Sequence, residues 1–133
     1  MKYAIPILLL LSSCTTLENA NPEDQRSIDI LGKWVSYDAN ECWNPIIEYS
    51  KDKTKMVKLS YCDENGNIAR EWYKSQWKIE GSTITETTIA GSEGITSGYA
   101  LPHVETDSLD YVDANKLVIT DSRETAIYVR PKQ

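Results

Sequence analysis

The sequence contains no phenylalanine and a single histidine. Without phenylalanine, the 4 tryptophans and 8 tyrosines must supply the aromatic volume of a core, and their N–H and O–H groups need partners where they are buried. The single histidine, His103, gives the serines no partner in a triad-like position, so we expect no enzyme activity. A net charge of −6 argues against nucleic acid as a partner and leaves basic partners open.

Long apolar runs are also missing, with one exception at the start of the chain. The run from Ala4 to Leu11 follows Lys2 and is interrupted only by Pro6. It is far shorter than the roughly 20 apolar residues that span a bilayer, so a permanent transmembrane helix is disfavoured. A cationic residue, a short apolar run and then small residues are typical of a secretory signal peptide.

The four residues Leu11-Ser12-Ser13-Cys14 closely resemble the bacterial lipobox. The resemblance implies that residues 1–13 are a signal peptide and that Cys14 becomes the acylated terminus, carrying diacylglycerol and a fatty acid such as palmitate. An ordinary signal peptide with a cysteine nearby is the alternative. Several acyl chains would give a stable membrane anchor, since each buried methylene contributes about 0.8 kcal/mol. The residue after the cysteine is Thr15 and not the aspartate that is associated with retention in the inner membrane. This favours the outer membrane of a Gram-negative bacterium.

Cysteine is scarce, and its three copies divide into one and two. With Cys14 assigned to lipid, Cys42 and Cys62 form an even pair in an oxidising compartment, which predicts a disulfide. A hairpin centred on Asp52 would place the two opposite each other. Closing a loop of about 20 residues should stabilise the fold by roughly 3 kcal/mol. Two cysteines this far apart make a poor zinc set, and we expect no metal and no cofactor.

The segment after the cysteine is polar and has no apolar period. We assign residues 14–27 to a lipidated flexible tether and residues 28–133 to one folded domain. A short helix starting at Asn21-Pro22 could reach Leu31 before Gly32 ends it.

From Gly32 onward the spacing of turn-forming residues is typical of strands joined by tight turns. Apolar and hydroxyl residues alternate between clusters of Gly, Asn and Asp, and no segment shows a sustained helical period. About eight antiparallel strands imply an all-β sandwich or barrel. The predicted strands are Lys33 to Asp38, Ile46 to Tyr49, Lys55 to Tyr61, Ile68 to Ile79, Thr83 to Ile89, Thr96 to Val104, Leu109 to Val112 with Lys116 to Thr120, and Ala126 to Arg130.

Alternation also predicts which side chains face the core. Val57, Leu59 and Tyr61 share a buried face, whereas Lys55, Lys58 and Ser60 are assigned to polar or mixed faces. In the next strand the face with Tyr73, Ser75, Trp77 and Ile79 is predicted to point inward. Near the open end, the inward positions are predicted to be polar: Ser36, Asp38, Thr83, Thr85 and Thr87.

Gly32-Lys33-Trp34, which opens the first strand, resembles the G-x-W signature of the lipocalins and of smaller lipocalin-like bacterial domains. The late Tyr128-Val129-Arg130 strengthens the resemblance. It implies an up-and-down barrel in which Trp34 plugs the base and Arg130 covers it through a cation–π contact worth about 1 kcal/mol. The chain departs from the classical pattern at Thr106-Asp107-Ser108, where the third residue is usually Tyr.

Three stretches contain residues of the kinds that bind ions or act as acids and bases, and none of them matches a known motif. His103, Glu105, Asp107 and Asp110 have no metal-site spacing and are predicted to lie in a solvated loop. Asp63-Glu64-Asn65-Gly66-Asn67 is predicted to be a turn, because its glycine comes too early for a calcium loop. Gly91-Ser92-Glu93-Gly94 lacks a phosphate-binding lysine and is predicted to be a mobile loop.

The sequence therefore predicts a membrane-anchored lipoprotein whose lipocalin-like barrel binds a small amphipathic molecule or a peptide. We expect a shallow pocket lined by tyrosine and hydroxyl side chains. The alternative is a protein-interaction or inhibitor module of the cell envelope, similar to lysozyme inhibitors, that holds a basic protein with its acidic loops. The residues that would contact a ligand stay open at this level.

Overall fold

In the computed structural model, which describes residues 22–98 and 100–132, a short helix leads into a closed antiparallel barrel of eight strands. The predicted all-β up-and-down barrel is confirmed. No helix in the described residues is long and apolar enough to cross a membrane. The elements are α1 Pro22–Asp29, β1 Gly32–Ser36, β2 Trp43–Tyr49, β3 Thr54–Cys62, β4 Ile68–Glu80, β5 Thr83–Gly91, α2 Glu93–Thr96, β6 His103–Val112, β7 Lys116–Thr120 and β8 Thr125–Val129.

Each strand pairs with the next along the chain, and β1 closes the barrel by pairing with β8 at Val35↔Val129. The β2–β3 hairpin has the predicted register, since Tyr49 lies opposite Lys55 around a turn centred on Asp52. Gly66 and Gly81 adopt positive φ in the β3–β4 and β4–β5 turns, where a side chain would be strained.

Because the strands run up and down, their connections alternate between two ends of the barrel. At the closed end lie α1 and the turns at 50–53, 81–82 and 113–115. At the open end lie the loops 37–42, 63–67 and 121–124, together with the β5–β6 connection. Helix α1 covers residues 22–27, which the sequence assigned to the tether; residues 1–21 lie outside the described part of the chain.

The hydrophobic core fills the closed end. Trp34 and Ile30 are fully buried, and the rings of Tyr49 and Trp77 meet edge to face at 5.4 Å. The indole N–H of Trp77 donates to the carbonyl of Thr54 at 3.1 Å, so this buried polar group has its partner. The other buried apolar residues are Ile47, Val57, Ile79, Ile84, Leu109, Leu117 and Ile119.

The sixth strand differs from its prediction. The hydroxyl-rich stretch from Thr96 was read as a strand, but α2 ends at Thr96, and β6 runs from His103 to Val112. Two features explain the difference: Ser92 accepts N–H groups of the helix through its carbonyl oxygen, and Pro102 has no N–H to give to a ladder. The predicted strand Leu109 to Val112 is therefore the end of β6. The predicted mobile loop at 91–94 is instead the last residue of β5, Ser92 and the first two residues of α2.

Two predictions of side-chain direction are also wrong. Lys55 was assigned to a polar face but is buried inside the barrel, on the same side of β3 as Val57. Thr83, Thr85 and Thr87 were predicted to point inward, yet the buried positions of β5 are Ile84 and Thr88. The physical reason is register: Ile84 is fully buried at the closed end, and strand alternation then turns Glu86 and Thr88 inward.

Candidate functional site

The open half of the barrel encloses a cavity of about 410 Å³. Its apolar side comes from β2 and β3, which contribute Pro45, Ile47, Val57 and Leu59. Its opening is bordered by Tyr37 in the loop 37–42 and by Trp43 at the start of β2. The core thus fills the lumen at the closed end, and the cavity occupies the lumen above it.

A buried ion pair lines this cavity. The ammonium of Lys55 on β3 lies 2.5 Å from Oε2 of Glu86 on β5, and the two side chains are only 7% and 12% exposed. Among the described residues, Oε2 has no further hydrogen-bond partner. Burial by itself would lower the pKa of Lys55, but the carboxylate of Glu86, aided by Tyr49 and Tyr73, raises that pKa well above its usual value. Lys55 therefore stays charged in the lumen.

Tyrosine side chains surround the pair. The Lys55 ammonium lies 5.4 Å from the ring centroid of Tyr49 and 5.9 Å from that of Tyr73. Burial, followed by the charge of Glu86, raises the pKa of Tyr49, and burial is also the main cause that raises the pKa of Tyr128. The hydroxyl of Tyr49 is buried without a hydrogen-bond partner in the described residues. We call Lys55, Glu86, Tyr49, Tyr73 and Tyr128 the polar layer.

Opposite the apolar side stands an acidic side. Glu105 and Asp107 belong to β6, and Asp121 and Glu124 belong to the loop 121–124 at the open end. The pKa of Asp107 is raised, first by partial burial and then by the negative charges of Glu86, Glu105 and Asp121. This crowding of like charges is the main electrostatic feature of the opening.

The four residues that were predicted to share a loop, His103, Glu105, Asp107 and Asp110, lie in β6 instead, and they do not all face the same side of the strand. Asp107 pairs with Ile84 of β5, whose side chain points inward, so Glu105 and Asp107 face the cavity. His103 lies on the same face and contacts Glu105 at 3.0 Å from Nε2 to Oε1. Asp110 points outward, where it accepts hydrogen bonds from Ser108 and Thr120. Across the described residues, no three His, Cys, Asp or Glu side chains come together as a metal site.

The predicted base pair lies at the closed end. The guanidinium of Arg130 stacks 3.6 Å above the ring centroid of Trp34, whose indole N–H donates to the carbonyl of Ile30 at 2.7 Å. Arg130 also donates to the carbonyl oxygens of Asp29, Lys33 and Ala114 at 2.8 to 3.0 Å. The structure thus brings Trp34 and Arg130 together and ties α1 to the barrel.

Glycine is required beside this pair. Gly32 has a φ of 101°, and a Cβ atom there would lie 3.2 Å from a guanidinium nitrogen of Arg130. The G-x-W resemblance therefore has a local physical basis, because the glycine leaves room for the arginine that covers the tryptophan.

The two predicted disulfide partners are bonded in the structure. Cys42 ends the loop 37–42 and Cys62 ends β3, with their Cα atoms 4.6 Å apart. The bond closes the side of the open end next to Trp43. The third cysteine, Cys14, and the predicted signal peptide lie outside the described residues.

The Lys55–Glu86 pair is not among the predicted contacts, although the sequence carries a signal for it. Lys55 stands two positions before Val57, and Glu86 stands two positions after Ile84, so alternation puts both charges on buried faces. A lysine and a glutamate on inward faces of nearby strands are the pattern of a buried ion pair.

The chain was compared with known proteins by sequence and by structure. No protein-family model and no curated protein matches the sequence. A lipocalin-like protein from Bacteroides uniformis matches the structure with a TM-score of 0.50 at 12% identity, covering 77% of this chain and 98% of that chain. An uncharacterized protein from Bacteroides eggerthii matches with a TM-score of 0.50 at 11% identity, covering 77% and 99%. At such identities the likeness shows the fold alone, and that fold is a lipocalin-like barrel.

Proposed function

We propose that the barrel binds a small amphipathic molecule in its lumen and that the protein is held at the cell envelope by a lipid on Cys14. The observation that carries the binding proposal is the open cavity of about 410 Å³ with the Lys55–Glu86 ion pair on its wall. Pockets that bind small molecules are usually apolar with a few well-placed polar groups, and this lumen has that composition.

Stability alone does not account for the ion pair. Removing two charges from water costs several kcal/mol per ion, and apolar replacements of similar volume are often neutral or stabilising. The polar layer also leaves Oε2 of Glu86, which lines the cavity, with no described hydrogen-bond donor other than Lys55. A donor group of a bound molecule would pair with this oxygen, so the layer is better explained by binding than by folding.

The two sides of the cavity favour an amphipathic occupant. A purely apolar molecule would cover the acidic and hydroxyl groups without pairing them, at a cost of about 1 to 3 kcal/mol for each buried group. A molecule with one apolar and one polar side would match both β2–β3 and β5–β6. We therefore expect such a ligand to bind more tightly than a simple fatty acid, whose long chain is apolar and whose carboxylate would meet the acidic side of the cavity.

Isothermal titration with octanol, a neutral amphipathic probe, tests the binding proposal. We expect saturable binding of one molecule, and we expect Ala126→Trp to abolish it by filling the lumen. Ala126 lines the cavity and pairs with the buried Ile119. Val104→Trp is the matched control, because Val104 is 60% exposed on the outside of β6.

Equal binding by the two tryptophan variants, or no saturable binding by the unmodified protein, would contradict the proposal. Tight saturable binding of palmitate would contradict the preference for a ligand with a larger polar side than that of a fatty acid.

The anchor proposal rests on the lipobox resemblance at Leu11-Ser12-Ser13-Cys14. Cys14→Ala should move the protein from the membrane fraction to the soluble fraction, because the acylated sulfur would be lost. If the variant stays with membranes after a salt wash, the anchor assignment is wrong. Fractionation of inner and outer membranes tests the outer-membrane location.

A second candidate function is favoured by the acidic open end, which would suit a basic protein such as a lysozyme. In that case the loop 121–124 would form the contact and the lumen would play no part. Complex formation with lysozyme that Ala126→Trp leaves intact, together with loss of lytic activity, would support this candidate over ligand binding.

A further inference from the structure

The charges around the lumen are unbalanced. Among the described residues that line it, six carboxylates face only two cationic groups, Lys55 and Arg123. Lys55 is already held by Glu86 at 2.5 Å. The carboxylates are Asp38, Glu86, Glu105, Asp107, Asp121 and Glu124.

The imbalance is also one-sided. Five of these carboxylates lie on β5, on β6 or in the loop 121–124, whereas Pro45, Ile47, Val57 and Leu59 form the apolar side on β2 and β3. An occupant of the cavity therefore meets negative charge along one side and hydrocarbon along the other.

We propose that the ligand is a small organic cation, an amine with an apolar body, whose ammonium lies against Glu105 and Asp107 while its body packs on β2 and β3. This inference rests on the proposed function, since it names the chemical class that the same lumen binds. An anionic amphiphile, by contrast, would have to enter past like charges, which costs affinity and slows association.

Two further observations agree with an organic cation. Tyr37 and Trp43 border the opening, where aromatic faces attract ammonium groups. The raised pKa of Asp107 reflects crowding with Glu86, Glu105 and Asp121 after burial, and a bound cation would relieve that crowding.

Three probes with the same apolar body and different heads separate charge from shape: octylamine, octanol and octanoate. Isothermal titration at pH 7 and low salt should give octylamine an affinity at least tenfold higher than octanoate, with octanol between them. Raising the salt concentration should narrow the gap, because salt screens the charges at the opening.

The double variant Glu105→Gln/Asp107→Asn localises the effect. It should reduce octylamine affinity by about tenfold, to near that of octanol, while octanol affinity stays within about twofold, because only the charge at the cavity wall changes. Asp110→Asn is the matched control, since Asp110 lies on the outer face of the same strand and should leave octylamine affinity unchanged.

Three other outcomes would each contradict the cation inference, and one of them would also contradict the proposed function. Octanoate binding as tightly as octylamine, with both lost in Ala126→Trp, would overturn the cation inference and the preference over fatty acids, but would support the lumen as the binding site. A preference for octylamine that the double variant retains would overturn the inference by placing the charge effect elsewhere. Failure of all three probes to bind would overturn the proposed function and the inference with it.

Discussion

The two ends of this barrel use the same strands for opposite purposes. At the closed end, inward positions are apolar and aromatic, and Trp34 and Ile84 are fully buried. Around the cavity, inward positions of the same sheet carry Lys55, Glu86, Glu105 and Asp107. One closed sheet thus holds a packed core and a polar chamber along its axis.

The difference teaches where stability and function are located in a small barrel. Burial of apolar area stabilises the fold by about 25 cal/mol per Å², and the closed end holds the fully buried Ile30, Trp34 and Ile84. The open half buries charges and leaves a cavity, both of which reduce stability. Because the closed end holds the strands in register, the open end can carry side chains chosen for binding.

The largest effect is expected from Trp34→Ala at the closed end. Loss of a fully buried indole, its hydrogen bond to Ile30 and its stack with Arg130 should lower the free energy of unfolding by about 5 kcal/mol. Urea unfolding measures this change. Trp72→Ala is the control, because Trp72 is 42% exposed and its loss should cost about 1 kcal/mol or less. Similar losses in the two variants would break the comparison of the two ends.

Next comes Lys55→Met, which leaves Glu86 in the lumen without its cation. We expect a loss of about 3 to 4 kcal/mol at pH 7, because a charge stays buried in the lumen without its partner. The double variant Lys55→Met/Glu86→Leu should recover the stability of the unmodified protein, whereas Lys58→Met on the outer face should change little. A double variant as unstable as Lys55→Met would show that the pair stabilises the fold.

Removal of the disulfide should have a slightly smaller effect. Cys42→Ala/Cys62→Ala frees a loop in the unfolded chain and should lower the free energy of unfolding by roughly 3 kcal/mol. The domain should still fold, because the bond lies at the open end, away from the core. Thermal unfolding measures the loss, and mass spectrometry of an unreduced digest checks the pairing. Free thiols at both positions in protein purified from the envelope would reject it.

The smallest effects concern two aspartates of β6 that face opposite ways. Burial and neighbouring carboxylates raise the pKa of Asp107, so its ionisation destabilises the folded state once the pH rises through that raised pKa. Hydrogen bonds from Ser108 and Thr120 lower the pKa of Asp110, so its charge stabilises the folded state until the pH falls through that lowered pKa.

At neutral pH, Asp107→Asn should therefore increase the free energy of unfolding by less than about 0.5 kcal/mol and raise the melting temperature slightly. The gain should vanish under acidic conditions, where the protonated aspartate is also neutral. Asp110→Asn should lower the melting temperature at neutral pH. Melting curves between pH 3 and about 7 compare the two variants. Melting temperatures that change in the same direction at neutral pH would show that the two faces of β6 do not affect their aspartates in opposite ways.

Much of the fold was predictable because its signals are local. Alternation in β3 and β4, the turn residues at Asp113-Ala114-Asn115 and the symmetric spacing of Cys42 and Cys62 each depend on neighbouring residues. The stretch before β6 was mispredicted because hydroxyl residues suit both strands and short helices, and a contact with Ser92 decides between them.

The site was less predictable, because the inward faces of β3 and β5 were predicted from the polarity of the side chains and not from strand alternation. Lys55 and the threonines of β5 were sorted by polarity, although the positions of Val57 and Ile84 fix the inward faces. Likewise, Glu105 and Asp107 were grouped with Asp110 by proximity in the chain, whereas the strand turns them to opposite sides.

By itself, the sequence determined an all-β chain with its hairpin turns, its pair of cysteines and the Gly32-Lys33-Trp34 opening, because each depends on conformational preference or short-range spacing. Only the tertiary structure decided that β1 meets β8, that Arg130 covers Trp34 from nearly the other end of the chain, and that Lys55 meets Glu86 across a lumen. The first two contacts follow from closure of the barrel, which depends on all eight strands at once. The third follows from the pairing of β3 and β5 with β4 in register.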